Sequence, residues 1–270
     1  MSTPTPSLSR IKALIFDVFG TCVDWRSSVV SALETAYLTK KKDSSLSLPS
    51  TDPDWPLFAQ QWRSSYGAFT RSFIPGTTPW KDIDTHHRDS LVELLRAWRL
   101  DGLYTPAEIE SLSKVWHFLR PWPDSSTGLH ALGKGKEGGL GLVVATLSNG
   151  NHALLADLDR FGNLGFERLI SAEDFKAYKP NPATYLGACE LLGFAPGEVV
   201  MVAAHLGDLA AARGNGLRTV YVEREGEEEW GRGDERYREA KGGWVDLWVG
   251  GDEEGFVEVA RRLEGSLERG

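Results

Sequence analysis

Apolar residues along this chain occur in two kinds of run. Ile11–Phe16 is a short apolar block that stops at Asp17, and Leu142–Leu147, Leu169–Ser171, Val199–Ala203, Thr219–Val222 and Val245–Val249 are blocks of the same kind. Short apolar blocks bounded by polar or turn residues predict strands buried on both faces. Between them, Leu154–Phe161, Ala183–Leu192 and Leu206–Arg213 predict helices, and Phe256, Val259, Ala260 and Leu263 form a closing helical stripe. Strands alternating with helices predict an α/β fold with a doubly wound parallel sheet, Rossmann-like in layout.

One stretch breaks this rhythm. Val29, Val30, Leu33 and Tyr37 predict a helix; Leu91, Leu94, Leu95 and Trp98 recur at helical spacing, as do Ile109, Leu112, Trp116 and Leu119. Seven of the ten tryptophans lie between Trp25 and Trp122, so this region is expected to pack as its own helical unit. Lys40–Asp54 reads as a long polar loop, and the charged run Glu225–Gly243 as a solvated excursion. The expected organisation is a flexible tail at 1–9, a core formed by 10–24 and 120–270, and an inserted helical cap at 25–119.

Composition narrows the class. A chain of 270 residues, 41% hydrophobic and 25% charged, can build a large core and is not a disordered protein. The net charge of −8 argues against a nucleic-acid partner, which needs a basic face. Two cysteines cannot form a disulfide framework or a four-thiolate zinc site. No apolar run is long enough to span a bilayer, and Met1–Ser9 lacks the apolar segment of a secretory signal. These features predict a cytoplasmic enzyme acting on a small molecule, with no membrane partner.

In doubly wound sheets, ligands bind beyond the strand C-termini. The polar residues expected there are Asp17, Ser148, Asn149, His205 and Asp208, joined by Lys179 in a loop before a helix that Asn181 and Pro182 are suited to start. Asp17-Val18-Phe19-Gly20-Thr21 fits a sharp turn that presents a carboxylate. Taken singly, each feature has an ordinary reading: a capping Asp, a Ser-Asn-Gly turn, a solvent-facing lysine, a helix-start acid. Their convergence is what favours a site. Other signals are discounted. The G-x-G-x-x-G run at Gly133–Gly138 precedes a strand instead of following one. His86-His87 near Asp84 cannot share a helix face and reads as polar surface. Cys22 reads as a small buried hydrophobe, and Lys40–Lys42, Glu173 and Asp174 as surface charge.

The ordered set DVFGT, LSNG, YKP and HLGD resembles the four motifs of the haloacid dehalogenase superfamily, and within it the L-2-haloacid dehalogenase (type II) branch. The match covers Ile11–Asp24, Val143 to about Val222, and Trp62-Arg63 in the cap region. The resemblance implies hydrolysis of L-2-haloacids to D-2-hydroxy acids through an ester on Asp17. It implies Lys179 and Asp208 as its catalytic partners, Arg63 as the halide cradle, and Val18, Phe19, Thr21, Ser148, Asn149, Tyr185 and His205 around a 2-halocarboxylate substrate. Superfamily phosphatases carry a second acid two residues after the nucleophile, which protonates a departing alkoxide. Phe19 has no proton to give, and a halide needs none. No metal or cofactor is expected, and a homodimer is compatible with the resemblance. The alternatives are a Mg²⁺-dependent phosphatase of the same superfamily and a catalytically weak homologue with a binding role. The fourth motif departs from the family pattern: Ala203-Ala204 bring no hydroxyl, His205 replaces an amide, and Gly207 replaces an aromatic residue and is expected to enlarge the pocket.

Overall fold

The computed structural model describes residues 8–43, 50–133 and 139–268. Most of the predicted tail and most of the glycine-rich run at 133–138 therefore lie outside the described residues. Leu8 is already buried, in a 3₁₀ turn Leu8–Arg10. The strands are β1 (Ala13–Phe16), β2 (Val23–Asp24), β3 (Arg120–Pro121), β4 (Val143–Thr146), β5 (Val199–Ala203), β6 (Arg218–Val222) and β7 (Leu247–Val249). Five of them form a sheet in the order β4-β1-β5-β6-β7, every neighbouring pair parallel. β2 and β3 pair antiparallel in a separate two-stranded ribbon that brackets a helical insertion.

The insertion consists of α1 (Trp25–Lys41), α2 (Trp55–Ser72), α3 (Ile83–Ala97) and α4 (Pro106–Ser113), then a 3₁₀ turn at Lys114–His117. Asp24, Asp54, Asp82 and Thr105 cap these helices, each side chain accepting a first-turn backbone N–H. Large rings fill the interior: Trp116 stacks on Trp25 and meets Trp62 edge-on. Two expectations change here. α1 runs through Lys41, into the stretch expected to be a loop, and at the surface Lys40 pairs with Glu108 and Lys41 with Asp52. The stripe from Ile109 to Leu119 is not one helix, since α4 stops at Ser113. His86 and His87 also correct the surface reading. Both are buried, and their rings lie on Phe69 and Trp116, each pair 4.5 Å apart. Burial lowers both imidazoles, His86 to about 4, so they pack as neutral rings.

The remaining helices are α5 (Ser125–Leu132), α6 (His152–Gly162), α7 (Pro182–Leu192), α8 (Leu206–Gly214), α9 (Glu235–Glu239) and α10 (Gly255–Leu267). Successive strand residues point to opposite faces. Leu14, Phe16, Val200 and Val202 join the core under α5, α6 and α10, whereas Ala13, Ile15, Val199 and Met201 join the one under α7 and α8. Leu169–Ser171 does not become a strand. Only isolated bridges form there, and the Thr146 hydroxyl bonds both backbone groups of Ile170. Glu225–Gly243 is exposed over most of its length, as expected, but Glu227 and Tyr237 are buried, and residues 226–230 lie beside the C-terminal ends of the strands. No helix among the described residues is long and apolar enough to cross a membrane.

A polar latch joins the insertion to the sheet unit. His117 Nε2 lies 2.8 Å from Asp84 Oδ1 and Nδ1 lies 2.8 Å from Asp157 Oδ2, while Asp84 also accepts from Lys114 and Asn151. Burial opposes the charged imidazole, but hydrogen bonds to the two carboxylates outweigh it and raise the His117 pKa. A raised folded-state pKa gives stability that is present below the unfolded value of about 6.5 and is lost as pH rises through the folded value. His117→Gln is therefore expected to lower the Tm at pH 6 by more than at pH 9, as measured by thermal unfolding of both proteins in parallel.

Candidate active site

β1 ends at Phe16, and the next residue, Asp17, keeps its backbone N–H on Val202 O of β5 at 3.0 Å. The carboxylate thus stands at the C-terminal edge of the sheet, at the end of the strand that lies between β4 and β5. The chain then turns sharply through Gly20, whose φ of +83° suits a residue without Cβ. The turn brings Thr21 back so that its hydroxyl donates to Asp17 Oδ2 at 2.8 Å. That hydroxyl oxygen accepts the Ala204 N–H at 3.0 Å, which fixes where its proton points.

Lys179 lies in the turn before α7, which Asn181 caps and Pro182 begins, as the sequence predicts. Its ammonium sits 2.8 Å from Asp17 Oδ1 and 2.5 Å from Asp208 Oδ2. Asp208, in the first turn of α8, also accepts the Tyr185 hydroxyl at 2.6 Å. The Asn149 Oδ1 accepts the Lys179 backbone N–H at 2.8 Å and holds the lysine turn against the end of β4. His205, between β5 and α8, places Nδ1 3.2 Å from Asp17 Oδ2 and Nε2 3.3 Å from Glu227 Oε2.

Carboxylates and cations therefore alternate in one buried line: Glu227, His205, Asp17, Lys179, Asp208. Burial favours neutral Asp17, but the Lys179 charge and the His205 hydrogen bond outweigh it and hold the carboxyl well below the usual range. Burial likewise opposes the charged form of Lys179, and Asp17 and Asp208 together push its pKa above the ordinary lysine value. His205 is pushed up to about 10: desolvation is outweighed by its bonds to Asp17 and Glu227. Burial, helped by Asp17, pushes the Cys22 thiol up, so this cysteine beside the carboxylate is an inert packing residue.

The line opens on a cavity of about 470 Å³ between the strand ends and the insertion. Asp17, Asn149, Lys179, Tyr185, His205 and Asp208 reach it from the sheet side, and Arg63 reaches it from α2. The Arg63 guanidinium lies over the rings of Tyr66, Phe19 and Trp25 at 4.6, 5.6 and 5.7 Å, and no carboxylate among the described residues pairs with it. Gly207 borders the cavity, and a Cβ there would meet nothing within 4 Å, in keeping with a widened pocket. The side chains of Val18, Phe19, Thr21 and Ser148 do not border it. Phe19 is buried beneath Arg63 and edge-on to Trp116, and Ser148 Oγ accepts the Gly150 N–H. Glu173 and Asp174 cap local backbone and touch His152 instead of joining the site. Glu227 is the residue sequence reasoning missed. It lies within an acidic run, and no local pattern separates it from Glu225 or Glu229.

The haloacid dehalogenase-like hydrolase family matches residues 11–216, and the chain belongs to it. Among solved structures, it is similar to a defluorinating L-2-haloacid dehalogenase, with a TM-score of 0.79 and 30% identity over 98% of this chain and 99% of that one. A second L-2-haloacid dehalogenase gives a TM-score of 0.75 and 36% identity over 94% and 99% of the two chains. Among curated proteins, (S)-2-haloacid dehalogenase 1 of Pseudomonas sp. (strain CBS-3) is 28% identical over 220 residues, which span 80% of this chain and 86% of that protein.

A Cβ added at Gly20 would lie 1.9 Å from Glu227 Oε2, at a backbone angle that side chains rarely adopt. Gly20→Ala is expected to destabilise the protein by about 1–3 kcal/mol, read as a lower urea midpoint at unchanged slope.

Proposed function

We propose that the protein hydrolyses the carbon–halogen bond of small L-2-haloacids, giving D-2-hydroxy acids through an ester on Asp17. One observation carries this reading: an ionised carboxylate faces the cavity, and among the described residues no side chain beside it is free to protonate a leaving group. Phe19 offers no proton. Both Glu227 oxygens are already engaged, Oε1 by the Trp25 indole N–H and Oε2 by His205 Nε2 at 3.3 Å. Both nitrogens of His205 already face carboxylates. Such a site handles a leaving group that departs as a stable anion, and a halide is one.

An Asp17 oxygen attacks the halogen-bearing carbon from the side opposite the halogen. The new C–O bond forms as the carbon–halogen bond breaks, its electron pair leaves with the halide, and the configuration inverts. Lys179 keeps Asp17 ionised and aimed throughout. Arg63, always charged and weakly hydrated, receives the halide. Asn149 and its cavity-facing neighbours bind the substrate carboxylate. Water then attacks the ester carbonyl and gives a proton to Asp208, which Lys179 and Tyr185 hold in place. Cleavage of the acyl–oxygen bond releases the 2-hydroxy acid and restores Asp17. Residues 25–119 act as the cap over a core of 10–24 and 120–270, and keep bulk water from the first step. Both cysteines are buried and unpaired, which suits a reducing, cytoplasmic setting.

The phosphatase alternative finds less support. The Lys179 ammonium already occupies the space between Asp17 and Asp208. Among the described residues, no group of three or more His, Cys, Asp and Glu side chains is arranged to hold a metal ion.

Chloride or bromide release from the two enantiomers of 2-chloropropanoate and 2-bromopropanoate, with EDTA present, tests the reading. The L enantiomer is expected to be consumed and D-lactate formed. Mg²⁺-dependent phosphate release without any halide would overturn it. Asp17→Asn is expected to lower kcat by at least about 10³-fold, with loss of the substrate-derived mass adduct on this residue.

A further inference from the structure

The displacement step leaves His205 and Glu227 without a task, yet the fold holds them closely. An ionised carboxylate can only accept hydrogen bonds. His205 lies between Asp17 Oδ2 at Nδ1 and Glu227 Oε2 at Nε2, and these two contacts raise its pKa to about 10 and favour a proton on each nitrogen. Glu227 is fixed in turn. Its Oε1 accepts the Trp25 indole N–H at 2.8 Å, and its other oxygen fills the space that Gly20 leaves by having no Cβ.

The two oxygens of Asp17 are not equivalent. Oδ2 receives two hydrogen bonds, from the Thr21 hydroxyl and from His205, whereas Oδ1 receives one, from Lys179. With both in-plane lone pairs of Oδ2 engaged, Oδ1 is the oxygen with an electron pair free to attack. Oδ2 then becomes the ester carbonyl oxygen, and in the second step it gathers the negative charge of the tetrahedral intermediate. Donors already aimed at such an atom stabilise that charge without reorganisation.

We propose that Thr21 and His205 form the oxyanion hole for hydrolysis of the Asp17 ester, and that Glu227 is the positioning residue that keeps His205 protonated while Asp17 is esterified. The inference rests on the dehalogenase reading and deepens it. Esterification removes the Asp17 charge, one of the two contacts that hold the second proton on His205. Other charged groups surround the ring. Glu228 lies in the same segment and accepts the Leu206 N–H; Asp208 lies on α8 and is bonded to Lys179 and Tyr185; Lys179 lies beyond Asp17; Arg26 and Arg63 face the cavity from the cap. The three cations favour proton loss. Glu227 alone among these acids touches the imidazole once Asp17 is neutral. In the step itself, the water oxygen bonds to Cγ of Asp17 and its proton passes to Asp208. The carbonyl electron pair moves to Oδ2 under the Thr21 and His205 donors. It then returns as the Cγ–Oδ1 bond breaks, and the departing alkoxide takes the proton from Asp208.

The test is a rapid-quench experiment with L-2-chloropropanoate that follows halide release and the carboxyethyl adduct on Asp17 in the same samples. For Glu227→Gln and His205→Asn, a halide burst near one equivalent per site is expected, followed by adduct decay slowed by about 10–10³-fold. In Glu227→Gln, adduct decay should also slow further as pH rises from 6 to 9, because a histidine without its carboxylate titrates near 6.5. The wild type should be flat over this range, and the double variant Glu227→Gln/His205→Asn should be slow but flat. Equal slowing of burst and decay with no adduct build-up, or a Glu227→Gln profile as flat as the wild type, would overturn the inference alone. A wild-type protein that releases no halide and forms no adduct would overturn the dehalogenase reading and this inference with it.

Discussion

Everything at the mouth of the sheet is organised around a single ammonium group held between two carboxylates. Lys179 bridges Asp17 and Asp208 with all three groups largely withdrawn from water. Moving these charges out of water is costly, and only close mutual contact offsets that cost. Removing the ammonium would leave two buried carboxylates facing each other, a loss of about 3–5 kcal/mol for a broken buried pair. The constraint reaches the backbone. The lysine turn is tied to the end of β4 through Asn149, and α7 and α8 meet through the Tyr185–Asp208 bond. The strand ends, two helices and the turn after Asp17 therefore keep one mutual arrangement.

A second group of contacts couples that arrangement to the cap. Phe19, two residues after Asp17, packs against Tyr66 and Trp116, and Arg63 lies across Phe19, Tyr66 and Trp25. A residue with no proton to give thus has a structural use. It forms part of the aromatic bed on which the cap's arginine rests, and so helps to seat a cation above the cavity. Trp25 serves both sides, since its ring joins the cap core while its indole N–H holds Glu227. The proposed division of labour follows from this placement: displacement and the base for water on the Lys179 side of Asp17, oxyanion stabilisation on the Thr21 and His205 side.

The parallel sheet and the residues at its strand ends were legible in the sequence because both faces of each central strand are covered. Leu14 and Phe16 go to one core and Ala13 and Ile15 to the other, so the strand shows as an unbroken apolar block with a polar residue where burial stops. Asp17, Asn149, Lys179, Tyr185, His205 and Asp208 were identifiable for that reason and through their motif context. The histidine pair in α3 was misread because adjacency along a helix indicates different faces, and here both faces are buried against aromatic rings.

Local pattern, then, determined the succession of strands and helices along the chain and the helical insertion, and the ordered set of motifs, taken together, singled out Asp17. Tertiary structure alone decided that Glu227 turns inward from an acidic run to meet His205, that Val18 and Ser148 stay behind the cavity wall, and that Arg63 rests on Phe19. The reason is one of range. Periodicity reports which side of an element is buried, whereas charge pairing between Glu227 and His205, or between Lys179 and Asp17, depends on which distant segments the packed core brings within hydrogen-bond reach.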